Sequence, residues 1–213
     1  MGVDWFRKQS WSQEDQTEFW RRLNRARETN RAQYVFVQGF TLMEIEQRYD
    51  ADAIALFNHV IDRYPNSITV VQALSAKADC LLRSRDIEGA LTYYEHAIQR
   101  MRVKPSVQTW AWLELAWVVA TNELSNRYET ALAVLDEFGN RAALFPVVVF
   151  RVYGSRALIM NTYGLTDLAA NNARTALSAA DQEESGLRYR PKIGVVGPRY
   201  DDIRARLAAI ASA

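Results

Sequence analysis

The feature that most limits what this chain can fold into is a set of alanines that keep fixed distances from larger residues. In one stretch Leu74, Ala78 and Leu81 are followed by Ala90, Tyr94 and Ala97. Offsets of three, four and seven put each trio on one face of an α-helix. The same pattern stands upstream as Val35, Gly39 and Leu42, then Ala53, Phe57 and Val60, with Pro65 closing the unit. Downstream it returns as Trp112, Ala116 and Val119, then Ala131, Leu135 and Phe138. A fourth copy reads Tyr153, Ala157 and Met160, then Ala169, Ala173 and Ala176. Each copy therefore predicts two helices that meet through small residues, with a larger side chain filling the space where they diverge. Bulk at Ala78 or Ala90 would push such a hairpin apart, at about 1–3 kcal/mol for overpacking.

The order large, small, alanine, aromatic, alanine, proline resembles the tetratricopeptide repeat family. The stretch "LSAKADCLLRSRDIEGALTYYEHAIQR" carries it most clearly, and "DADAIALFNHVIDRYPNS" matches the second half of a unit. The resemblance covers about residues 31–180. It implies an all-α, right-handed α-solenoid of about four such helix pairs with a capping helix at each end. Two departures stand beside it. The alanines opening successive second helices (53, 90, 131, 169) lie 37, 41 and 38 residues apart, against about 34 in the standard unit, so HEAT-like pairs of about 40–47 residues are the structural alternative. The fourth copy has Ala173 where an aromatic is usual.

Outside the repeats, residues 1–30 contain "SQEDQTEFWRRLNRARE", which predicts an amphipathic capping helix with Ser12 as N-cap and Phe19, Leu23 and Ala26 on one face. Turn signals fall at Thr29–Asn30, at Pro65 to Ser67, at Lys104 to Ser106, at Ser125–Asn126 and from Gly139 to Pro146. The run "PVVVFRVYG" would suggest a strand by composition, but its place in the fourth copy predicts helix. Residues 181–213 open on a glycine- and proline-containing loop and close on a helix from about Arg199 to Ala209, whose Ile203, Leu207 and Ile210 suit a cap.

Charge is balanced, with 26 Lys and Arg against 25 Asp and Glu, so no global field points to nucleic acid or membrane. No apolar run approaches the roughly 18 residues of a membrane span, and the amino-terminal stretch lacks a signal-peptide core. The single Cys80 makes no intrachain disulfide, and a cytoplasmic location is the expectation. His59 and His96 are the two histidines; both read as solvated helix positions, and no metal-ligand spacing, P-loop, dinucleotide motif or nucleophile elbow accompanies them. No catalytic residue, metal or cofactor is expected.

The family resemblance implies that first helices line a concave groove. Carried onto this chain, the groove positions are Gln33, Phe36 and Phe40; Gln72, Ser75 and Asp79; Trp110, Leu113 and Trp117; Arg151, Gly154 and Leu158. Phe36, Phe40, Trp110, Trp117, Asp79 and Arg151 form the candidate partner-binding set. The competing reading is that a terminal segment covers these aromatics as core. A second candidate surface is the tail set Arg188, Tyr189, Arg190, Lys192, Arg199 and Tyr200. The expected function is a non-enzymatic module binding a protein or peptide through groove or tail. An immunity-type inhibitor that covers a toxin's active site is the alternative. Basic residues interleaved with aromatics, in the tail and in "RRLNRARETNR", keep a nucleic-acid-associated repeat as a minor one.

Overall fold

The computed structural model describes residues 4–45, 47–139 and 145–212. Among them the protein is all-α, with ten helices and no strand. They are α1 (Gln13–Arg25), α2 (Glu28–Ile45), α3 (Asp50–Arg63), α4 (Thr69–Arg83), α5 (Ile87–Val103), α6 (Ala111–Thr121), α7 (Tyr128–Phe138), α8 (Pro146–Thr162), α9 (Thr166–Ala180) and α10 (Asp201–Ala211). The chain forms two compact units, Met1–Ala111 and Trp112–Ala213.

In the first unit α1 begins on a capping box. The Ser12 hydroxyl accepts from the Asp15 N–H, and the Asp15 carboxylate accepts from the Ser12 N–H. Lys8 and Ser10 also donate to that carboxylate and hold Asp15 well below the usual carboxylate range. The helix buries Phe19 and Leu23. Helix α2 packs on α3 and α4 on α5, while α3 also lies against α4. The small residue of the first copy is the point of closest approach: a β-carbon at Gly39 would stand 2.8 Å from Phe57 Cε1 and 3.2 Å from Leu56 Cβ. Gly39→Leu is therefore expected to lower stability by about 1–3 kcal/mol, net of a gain in helix propensity. Gln33→Leu, at an exposed position of the same helix, is expected to be near neutral. Thermal melts of the two variants check this, and equal melting temperatures would remove Gly39 from the contact.

Residues 4–11 pack against α1 and α2. They do so through rings: Trp5 lies 5.5 Å from Phe19 and 5.2 Å from Tyr34, and Phe6 stacks on Tyr34 at 4.5 Å. The fully buried amide of Gln38 pairs with the Lys8 main chain, accepting from its N–H at 2.9 Å and donating to its carbonyl at 2.8 Å. Pairing both ends of a buried amide removes the cost of desolvating it.

In the second unit Trp112 stacks on Phe138 at 6.1 Å, which joins α6 to α7, and α8 packs along α9. The valine-rich run is helical, with Pro146 in the first turn of α8, where a missing N–H costs nothing. Helix α10 lies against α9 and α8, with Leu207 fully buried and its Cδ1 3.3 Å from where a Gly154 β-carbon would be.

Three hairpin turns share one geometry that the sequence did not suggest. The N–H groups of Asp86, Leu124 and Leu165 donate back to the carbonyls of Leu81, Val119 and Met160, the third residue of each first-helix trio. The residue before each donor is left-handed: Arg85 (φ 65°), Glu123 (φ 56°) and Gly164 (φ 72°). These are Schellman closures, which satisfy carbonyls at a helix end. The corresponding turn after Leu42 includes residue 46, outside the described residues. The 41-residue spacing from Ala90 to Ala131 also has a cause. Nine residues separate Leu81 from Ala90 and Met160 from Ala169, against eleven from Leu42 to Ala53 and twelve from Val119 to Ala131. The two longer connections carry 3₁₀ turns, Gln47–Tyr49 and Ser125–Arg127.

Some expectations need correction. Thr29 and Asn30 lie inside α2; the break falls at Ala26–Arg27, where Ala26 is extended and the Arg31 guanidinium donates to the carbonyls of Asn24 and Ala26. Tyr153 is exposed rather than core, and Phe150, one turn earlier, is buried instead. The turn expected from Gly139 to Pro146 lies largely outside the described residues.

Candidate functional site

The first-helix face differs between the two units. In the first, Phe36 is half-buried, with its ring 5.9 Å from Phe57 of α3 and 5.8 Å from Phe40. Phe40 itself is 42% exposed. Gln33 and Gln72 are exposed and Ser75 is half-buried. Asp79 is already engaged, since the Tyr94 hydroxyl donates to it at 2.6 Å. Trp110 is 48% exposed but precedes α6, so it stands in the connection and not on a first-helix face.

In the second unit that face is covered. Leu113, Gly154 and Leu158 are buried. Trp117 meets Tyr200 edge to face at 5.5 Å and lies 5.8 Å from Phe150. Trp117 is half-buried and Arg151 buried: two nitrogens of Arg151 donate to the two carboxylate oxygens of Glu114 at 2.6 and 2.7 Å, and its guanidinium carbon sits 5.2 Å from the Trp117 ring centre. A bidentate ion pair beside an aromatic ring offsets part of the cost of burying an arginine. Arg151 is thus buried and Trp117 half-buried under the carboxy-terminal segment, and the covered-face alternative applies to them.

The tail set divides in the same way. Tyr200 is 7% exposed and anchors the segment, while Arg199 donates to its hydroxyl at 2.8 Å. Lys192 donates to the Glu183 carbonyl at 3.0 Å, which ties the loop to its own start. Arg188, Tyr189 and Arg190 remain exposed. Gly194 docks this loop on α8: its carbonyl accepts from the Val147 N–H at 2.8 Å, and with φ at 80° a β-carbon there would lie 2.4 Å from Phe145 Cδ1.

The remaining titratable groups are built into the structure. His59 lies between the rings of Trp20 (4.7 Å) and Tyr64 (5.8 Å), not on a solvated face, and burial pushes its pKa below the usual histidine value. Neutral in the fold, it contributes stability that is lost as pH falls below about 6.5. His96 is exposed, with its ring against Tyr93. Cys80 is fully buried, and burial pushes its thiol up to about 11. Beside it Arg83 donates to Asp50, to the Met43 carbonyl at 3.0 Å and to the Cys80 sulfur at 3.5 Å. Burial raises the Asp50 pKa, against the pull of Arg83. Lys77, nearly buried, donates to Asn58 at 2.6 Å with its ammonium 3.7 Å from the Tyr93 ring centre. Among the described residues no three His, Cys, Asp or Glu are grouped to hold a metal, and no helix is long and apolar enough to cross a membrane.

Comparison of the chain with protein-family models, with curated proteins and with solved structures finds no match in any of the three.

Proposed function

We propose that this chain is a non-enzymatic binding module of the tetratricopeptide-repeat type, a right-handed solenoid that holds a protein or peptide on the first-helix face of its Met1–Ala111 unit. The observation that carries this reading is the contrast between the two units. Where the second unit presents that face, the chain's own tail lies on it, with Tyr200 and Leu207 as anchors. Where the first presents it, Phe40 stands exposed beside Phe36. The tail serves as a template for the occupant: a short helical segment bringing one aromatic and one aliphatic side chain. Apolar patches with polar rims are common interaction sites. The close helix contacts and the repeated turn closures support the repeat assignment, and a single buried thiol fits action in the cytoplasm.

The test is affinity capture from native extract with the wild type and Phe40→Glu side by side, quantifying the same co-purified protein. Burying a charge in place of an anchor is expected to cost roughly 2 kcal/mol or more, a loss of about thirtyfold in affinity. The melting temperature should stay nearly constant, because the side chain is exposed. A partner retained equally by both forms places its contact elsewhere.

A further inference from the structure

The basic stretch that ends α1 is not uniform in its partners. Arg21 and Arg22 both donate to Glu18, and Arg31 is consumed by the carbonyls of Asn24 and Ala26. Arg25 and Arg27 are exposed, and among the described residues neither has a carboxylate partner. Together with Arg22 they line a depression of about 560 Å³ at the junction of α1 and α2, whose remaining lining is Trp5, Ala26, Asn30 and Tyr34. That volume falls within the roughly 300–1,000 Å³ of small-molecule sites. No carboxylate lines it. Like charges lining one depression repel each other, and a doubly charged anion relieves that repulsion and offers acceptors to guanidinium groups.

The other wall is aromatic and already in place. Trp5 is fixed by Phe6, Phe19 and Tyr34, and Tyr34 is stacked on Phe6, so neither ring has to be ordered on binding. A bare inorganic anion would use only the arginine side. A ligand that joins a phosphoryl group to a planar base uses both, since every base has a face to set against an aromatic ring. We infer that the α1–α2 junction binds a nucleoside phosphate, with its phosphoryl group on Arg25 and Arg27 and its base on the side of Trp5 and Tyr34. The ligand is either a free nucleotide or the phosphorylated end of a nucleic-acid strand. This site is independent of the Phe36 and Phe40 face.

Titration calorimetry at low salt, on the full chain, tests it with AMP, adenosine, inorganic phosphate, O-phosphotyrosine and a 5′-phosphorylated oligothymidylate. AMP is expected to bind at least about tenfold more tightly than phosphate or adenosine, and to weaken as salt rises. The surface variant Arg25→Gln/Arg27→Gln should lose about tenfold or more in AMP affinity with an unchanged melting temperature. An oligothymidylate that binds as AMP does, and fails with the same variant, identifies a strand end as ligand; AMP binding alone identifies a free nucleotide. No AMP binding up to about 5 mM, a range weaker than typical ligand affinities, would overturn the proposal. So would AMP affinity that the double variant leaves intact, or tighter binding of O-phosphotyrosine than of AMP.

Discussion

Trp117→Ala should lower the unfolding free energy by about 2–3 kcal/mol, whereas Phe40→Ala should cost under about 1 kcal/mol, although both residues occupy the same register of a first helix. The difference lies in what touches them. Trp117 is half-buried against Phe150, Tyr200 and the Arg151 guanidinium, so its removal leaves a void among them and uncovers a buried ion pair. Phe40 faces solvent with 42% of its surface, and its loss leaves no void. Chemical denaturation of the two single variants measures this directly. Similar losses for both would mean that the two faces are equally covered.

A chain ending at Gly197 should be the most damaged variant of all. It lacks Tyr200 and Leu207, two side chains removed almost wholly from water in the intact protein, each worth about 1.5–3 kcal/mol of burial. It also bares Trp117, Phe150 and the surface around Gly154. Terminal repeats without a polar outer layer self-associate. The expected result is a markedly lower melting temperature together with larger species on size-exclusion chromatography. A truncated chain that stays monomeric and melts with the full-length protein would show that the segment contributes little to this unit.

How far these outcomes could be read from the residues depends on the range of the interactions. The start of α1 was legible because Ser12 and Asp15 are three residues apart and need nothing else. The helix faces were legible because Gly39, Ala90 and Ala157 mark contacts by their size. The left-handed turns at Arg85 and Glu123 were not, since neither is a residue type that favours that conformation. Tyr153 was misplaced because periodicity alone cannot tell which of two nearby aromatics a neighbouring helix will meet. The cover over Trp117 stood in the sequence only as one of two alternatives, and the ring contacts of Trp5 and Phe6 were not legible, because both depend on a chain end folding back over a helix. The open face around Phe40 follows from the sequence only as one of two alternatives, and its partner depends on chemistry outside this chain.

The buried pocket of Cys80 has a practical side. A thiol reacts through its thiolate, and this one is both out of reach of solvent and held far toward its protonated form. It is also the only cysteine in the chain. Alkylation therefore proceeds no faster than α4 separates from its neighbours, and a single mass increment timed at rising denaturant acts as a clock on the opening of the first unit, blind to whatever happens in the second.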